Sequence, residues 1–205
     1  MGTDQTGLRE RKKARTRADL TEAALQQFTE RGFDETTIED IVDACEVSPR
    51  TFFRYFDSKE DVVIGFYDDL GEELTELVAG RPAEESPFAA TRNALESFAA
   101  IYQERRARVC AVSQLANATA PIRARLLDKH ARWENGLTQV LAERLGVDPD
   151  TDPRPRLVAA VSLAALSTAV KAWVADGGQA DLSTLVSSNL RAVERGLDEP
   201  TSSSG

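Results

Sequence analysis

The sequence predicts an all-α fold, three N-terminal helices followed by a larger helical body. Three observations carry that expectation. Apolar residues recur at three- and four-residue spacing, and no stretch alternates with period two. Ala and Leu are abundant while aromatic residues make up 6% of the chain. Pro and Gly fall mostly between the periodic stretches, where they punctuate helices rather than interrupt them.

The first helix is expected from about Arg9 to Arg31. Leu20, Ala23, Ala24, Leu25 and Phe28 form its apolar face, and Gly32 is a C-terminal stop. Thr37-Ile38-Glu39-Asp40 places an acid three residues after a hydroxyl, a capping pattern that starts a second helix with Ile38, Ile41 and Val42 inward. Cys45-Glu46-Val47 breaks it. Ser48 caps a third helix, Pro49 occupies its first turn, and its end is expected near Phe56. Ser58 to Asp61 repeats the capping pattern and opens a fourth helix, about Lys59 to Ala79. The linker from Gly80 to Pro87 follows. Further helices are expected over about 87–106, 108–118, 121–145, 155–176 and 182–197. The expected division is a disordered N-terminus over 1–8, a helix-turn-helix domain over 9–57, a helical domain over 58–198 and a disordered tail over 199–205.

Composition narrows the function. An apolar fraction of 41% and a charged fraction of 29% describe a folded soluble chain. Cys45 and Cys110 stand far apart, so neither a disulfide framework nor a zinc site is expected. Residues 1–7 are polar, with no apolar leader. The longest apolar stretch, Leu157 to Ala175, contains Ser162, Ser167, Thr168 and Lys171 and reads as a buried helix rather than a membrane span. A cytoplasmic protein with no membrane partner is expected. His130, the single histidine, lies in a charged helix without a spaced carboxylate or cysteine and reads as a solvated or supporting residue. No phosphate-binding glycine loop or nucleophile elbow is present, so no catalytic residue, cofactor or metal is expected and the chain is not read as an enzyme.

The net charge of −9 argues against nucleic acid until its distribution is considered. From Leu8 to Arg17 the chain carries Arg9, Arg11, Lys12, Lys13, Arg15 and Arg17 against the single acid Glu10. A basic arm on an acidic body suits a protein that meets DNA along one edge. A flexible solvated tail is the plainer account of the arm by itself.

The segment Gly32 to Val62 decides between them. Two short helices joined by a tight turn, the second rich in exposed polar and aromatic residues, form a helix-turn-helix. Phe52 and Phe56 lie four apart and are expected in the core. Pro49, Arg50, Phe53 and Arg54 fall on the opposite side, where an arginine can pair with guanine or with phosphate.

This segment resembles the TetR family of bacterial regulators over about residues 10–65. Thr36, Thr37, Ile38, Ile41, Ala44, Val47, Ser48, Thr51, Phe52, Phe56 and Lys59 match the family pattern in register. Four positions depart from it: Glu46 and Arg50 stand where the family has glycine, Phe53 where it has tyrosine, and Tyr55 where it has histidine. A positive φ at Glu46 would cost about 1 kcal/mol, which is tolerable. Phe53 loses a phosphate-bonding hydroxyl and is limited to apolar contact with a thymine methyl or a sugar.

The resemblance implies roles. Thr37 and Ser48 are helix N-caps whose neighbouring amides suit phosphate. Arg50, Thr51, Phe53 and Arg54, with Pro49 beside them, are groove residues. Tyr55 and Lys59 are phosphate contacts, and the arm residues Arg11, Lys12, Arg15 and Arg17 reach the backbone or minor groove of double-stranded DNA. It also implies a homodimer through about 155–197, with Leu182, Leu185, Val186, Leu190, Val193 and Leu197 as one stripe, and a repressor released from a palindromic operator by a small-molecule effector. Effector-lining candidates are Phe66, Tyr67, Phe98, Tyr102, Cys110, Gln114, Trp133 and Trp173, each of which core packing alone would also explain. The clusters Arg105, Arg106, Arg108 and Arg123, Arg125, Lys129, Arg132 point to an anionic effector or to solvated helix faces. The C-terminal part bears a fainter resemblance to acyl-CoA-responsive, mycofactocin-type regulators of the family. The alternative is a helical adaptor whose helix-turn-helix contacts protein, and the basic arm argues against it.

Overall fold

A computed structural model describes the backbone of residues 3–196, with side chains from residue 11 onward except that of Phe66. The described residues form ten helices and no strands: α1 (Thr3–Arg31), α2 (Ile38–Ala44), α3 (Pro49–Phe52), α4 (Lys59–Ile64), α5 (Phe66–Ala79), α6 (Pro87–Glu104), α7 (Arg106–Ala118), α8 (Ala120–Leu145), α9 (Arg154–Ala175) and α10 (Leu182–Arg195). Leu197 and the expected C-terminal tail lie outside the described residues.

The chain divides into two compact units, residues 1–66 with 111–126, and residues 67–110 with 127–205. In the first unit α1 packs on α2 and α4, and α2 packs on α3. Leu20, Ala24, Leu25 and Phe28 of α1 meet a core of Ile41, Val42, Phe52, Phe56, Val62, Val63 and Ile64, all buried. In the second unit α6, α9 and α10 pack against one another. Tyr67, Leu70, Leu74 and Val78 form the inward stripe of α5, at helical spacing.

Three boundaries differ from the sequence reading. Helix α1 begins at Thr3, well before Arg9, because no proline lies in that stretch and a single glycine, Gly7, costs only about 1 kcal/mol. The α geometry of α3 stops at Phe52; the amides of Tyr55 and Phe56 both donate to the Phe52 carbonyl, at 2.9 and 3.1 Å, and carry the chain through one further turn. The expected single helix from Lys59 to Ala79 is interrupted at Gly65, whose carbonyl accepts from Arg17 Nη2 at 2.9 Å.

Helix α2 ends in a Schellman motif. The Val47 amide donates to the Val42 carbonyl at 3.0 Å, the Glu46 amide to that of Asp43 at 3.2 Å, and Glu46 sits at φ 52°. Glu46 is the sole non-glycine at positive φ among the described residues. Glu46→Gly is therefore expected to stabilise the protein by about 1 kcal/mol, seen as a raised denaturation midpoint with an unchanged denaturant slope.

The connection between α5 and α6 is tied down rather than loose. The Arg144 guanidinium, from α8, donates to the carbonyls of Arg81, Pro82 and Glu85. Arg81 pairs with Glu85, and Asn93 donates to the same carboxylate.

Helix α9 is long and apolar enough to cross a membrane by composition, yet it packs against α6 and α10. Its buried stripe is Pro155, Ala159, Ser162, Ala165, Leu166, Ala169 and Trp173. The expectation of a buried helix holds for one side only within one chain: Leu157 is 60% exposed, and Ala164, Thr168 and Ala172 are also exposed.

Candidate nucleic-acid interface

Helix α2 starts from a complete capping box. The Asp40 amide donates to Thr37 Oγ1 at 3.1 Å, and the Thr37 amide donates to Asp40 Oδ2 at 2.8 Å. The Arg31 guanidinium, at the end of α1, reaches Asp40 Oδ1 at 2.9 Å. The Thr37 backbone amide, the Thr37 hydroxyl and Arg31 together hold the Asp40 carboxyl at about 2. With the folded value below the ordinary 3.8, the box contributes fully above that value and is lost as pH falls through about 2. A carboxyl NMR titration is expected to place Asp40 near 2, and Asp40→Asn to remove that step in the unfolding profile.

Helix α3 is capped by Ser48, whose hydroxyl accepts from the Thr51 amide at 3.2 Å and lies 3.1 Å from Thr51 Oγ1. Pro49 takes the first helical position. Thr51 is thus turned into the cap and is half-buried. Pro49 and Arg50 are exposed, and Phe53 is 55% exposed. The Phe53 ring stands edge-on to the fully buried Phe52, with centroids 5.5 Å apart and planes at 84°. Phe52 in turn packs on Phe56 at 5.4 Å. Arg54 is exposed; its guanidinium lies 4.9 Å from the Tyr55 ring centroid, and Nη2 donates to the Tyr55 hydroxyl at 3.1 Å. The face of α3 and its following turn thus presents an arginine, a phenyl ring and a second arginine braced by a tyrosine.

Arg11, Lys12 and Arg15 are exposed on α1, with Arg15 4.0 Å from Asp19. Arg17 turns inward to the Gly65 carbonyl and sits 6.0 Å from the Phe56 ring. Lys59 also turns inward. Its ammonium donates to the carbonyls of Phe33 and Thr36, at 2.6 and 2.8 Å, and lies 4.1 Å from the Phe33 ring centroid. Both cations are half-buried and donate to backbone carbonyls, Lys59 to the loop between α1 and α2 and Arg17 to the residue that follows α4.

In the second unit four of the effector-lining candidates gather into one buried aromatic cluster. Phe98 lies 5.2 Å from Tyr102 and 5.9 Å from Trp133, and Trp133 lies 6.0 Å from Tyr67. Trp133 Nε1 donates to the Tyr67 carbonyl at 2.9 Å. Burial, with Tyr67 nearby, pushes the Tyr102 phenol well above its ordinary value, so it stays protonated. Trp173 instead donates to the Ala180 carbonyl at 3.0 Å, in the turn after α9. Cys110 is half-buried, Gln114 is exposed and belongs to the first unit, and the Phe66 side chain lies outside the described residues.

Several of these charged groups have partners within the fold. Lys129 is 8% exposed and pairs with Asp68 of α5. Arg105 pairs with Glu73 at 2.8 Å. His130 packs edge-on to Trp133 at 5.6 Å; burial first, then the Lys171 charge, lowers its pKa. The sequence reading missed Gly71, which lets Trp133 press against the α5 backbone, and Asp68. Neither carries a local signal, since both partners are more than sixty residues away.

Two family models match the chain: one described as bacterial regulatory proteins, tetR family, over residues 20–65, and one described as the MftR C-terminal domain, over residues 85–198. The HTH-type transcriptional regulator TcmR of Streptomyces glaucescens is 35% identical over 173 residues, 82% of this chain and 76% of that protein. The HTH-type transcriptional repressor KstR2 of Rhodococcus jostii is 34% identical over 103 residues, 45% of this chain and 50% of that protein. Among solved structures, FadR of Thermus thermophilus in complex with lauroyl-CoA aligns with a TM-score of 0.55 at 23% identity, covering 92% of this chain and 98% of the other. FadR of Bacillus subtilis in complex with stearoyl-CoA aligns at 0.59 and 19% identity, covering 86% and 96%. These structures share the fold.

Proposed function

The chain belongs to the TetR family and is a DNA-binding transcriptional regulator, and on that premise we propose that it is a cytoplasmic homodimeric repressor released from a palindromic operator by a small-molecule effector. The single observation carrying this reading is the outward face of Arg50, Phe53 and Arg54 on a capped helix whose other side is core. Residues 9–57 read the operator and residues 58–198 bind effector and partner. In that assignment Arg50, Phe53 and Arg54, with Pro49 and Thr51, face the groove. Thr37, Ser48 and Tyr55 support the docking, and Arg11, Lys12 and Arg15 hold the backbone.

The exposed face of α9, with Leu157 at 60% exposure, supports dimerisation through about 155–197. A dimer doubles the few base contacts one helix can make and sets half-sites about 34–36 Å apart. The effector we propose is acyl-CoA-like, on the strength of the acyl-CoA complexes among its structural relatives. To release DNA it must bind one spacing of the paired recognition helices better than the other. No catalytic role is assigned.

The test is a titration of the intergenic duplex upstream of its own gene at several salt concentrations, with footprinting. A protected palindrome, a steep salt dependence and a dimeric mass are expected. Failure to bind any offered duplex at low salt overturns the reading. Release by none of a chain-length series of acyl-CoAs removes the effector class alone.

A further inference from the structure

We propose that Phe53 is a specificity-determining residue that reads the 5-methyl group of a thymine, beside a guanine taken by Arg50; this rests on the regulator reading above. Phe53, Leu127 and Leu157 are the large apolar side chains left exposed among the described residues, and Phe53 alone of them lies on the helix-turn-helix. Its ring stands edge-on to Phe52, which is completely buried and itself packs on Phe56. An exposed phenyl ring with a buried aromatic base is therefore presented outward from the reading helix.

The chemistry of the groove selects its target. Phenylalanine has no donor or acceptor, so it cannot bond phosphate or a polar base edge. In the major groove of DNA the apolar feature that distinguishes one base pair from another is the thymine 5-methyl. Arg50 stands three residues before Phe53 and is exposed on the same helical face. Its planar fork matches guanine O6 and N7, which places the methyl and the guanine on neighbouring base pairs. Arg54 has a different task. Its guanidinium is stacked on Tyr55 and hydrogen-bonded to the phenol oxygen. That posture spends a donor and part of the plane on the protein and leaves the remaining N–H groups for a phosphate.

The test uses the full-length protein and an operator enriched from a random duplex pool. Each thymine is replaced in turn by deoxyuridine, which keeps the base pair and removes the methyl. One thymine per half-site, adjacent to a guanine, is expected to show a loss of about fourfold, the effect of one buried methyl group. Substituting both half-sites gives about fifteenfold. Phe53→Ala is expected to bind more weakly and to be indifferent to the same replacement, while a neighbouring thymine remains unaffected in both proteins. Independently, 5-iodouracil at that thymine is expected to photocrosslink the wild-type protein at residue 53.

A penalty for Phe53→Ala with no thymine dependence would mean that the ring packs on deoxyribose, and overturns the proposal, as does a crosslink that maps elsewhere. Should no duplex be enriched at low salt, the regulator reading itself fails. An enriched operator indifferent to deoxyuridine leaves that reading standing and removes only the role of Phe53.

Discussion

Gly71→Ala is expected to destabilise the protein by about 3 kcal/mol, enough to lower the melting temperature by roughly 10 °C. A Cβ built at residue 71 would overlap Nε1 and Cδ1 of the Trp133 indole and stand 3.1 Å from Cε2. Trp133 cannot retreat, because Phe98 and His130 meet its ring and Tyr67 lies alongside. Pushing the indole away strains the cluster by about 3 kcal/mol, at the high end for overpacking. It also breaks the hydrogen bond to the Tyr67 carbonyl, for about 1 kcal/mol more. The better helix propensity of alanine returns about 1 kcal/mol. Trp133→Phe in the same chain should recover part of the loss, since the smaller ring vacates the overlapped space. Strictly additive effects of the two substitutions in denaturant melts would show that residue 71 and the indole are not in contact.

The second large effect is expected at Lys59. Replacing it with methionine keeps the stem and removes the ammonium, leaving the Phe33 and Thr36 carbonyls without their charged donor. A charged donor is worth about 1.5–3 kcal/mol, so a stability loss of about 3 kcal/mol is expected, with the connection between α1 and α2 first to loosen in hydrogen exchange. The family resemblance assigns this lysine to phosphate. That role would flatten the slope of log affinity against log salt by about one per phosphate lost. With the ammonium committed to two carbonyls, the slope is expected to stay unchanged while stability falls. A stable Lys59→Met protein with a shallower salt dependence would return the residue to the DNA.

These two positions mark the limit of what the sequence reveals. Thr37, Ser48 and Ser58 were readable as caps because a cap is settled by residues three apart. The burial of Phe52 and Phe56 and the exposure of Phe53 followed from helical spacing within one short element. Even the left-handed turn residue Glu46 could be located, since a helix that stops against a turn needs one there. The inward turn of Lys59 is not legible locally, because its partners lie 26 and 23 residues upstream. The interruption between α4 and α5 is likewise not legible locally, and the Gly65 carbonyl there meets Arg17, 48 positions away. Trp173 was grouped with the other aromatics on residue type, whereas it closes the turn after its own helix. Lys129 sits in a charged stretch that gives no sign of its partner Asp68, 61 residues upstream. Local chemistry specifies the reading head. Distant packing specifies the body, and periodicity carries little information about which side chains meet there.

The Arg144 clasp on the carbonyls of Arg81, Pro82 and Glu85 bears on how the chain survives a cell full of peptidases. A stretch as rich in glycine, proline and acid as Gly80 to Pro87 would ordinarily be a nicking point. An endopeptidase, however, needs the backbone drawn out into its cleft, and three of these carbonyls are already gripped by one guanidinium. A glutamate-specific protease should therefore spare Glu84 and Glu85 in the native chain and cut there once Arg144 is replaced. A single side chain nearly sixty residues away would then act as the fuse for turnover.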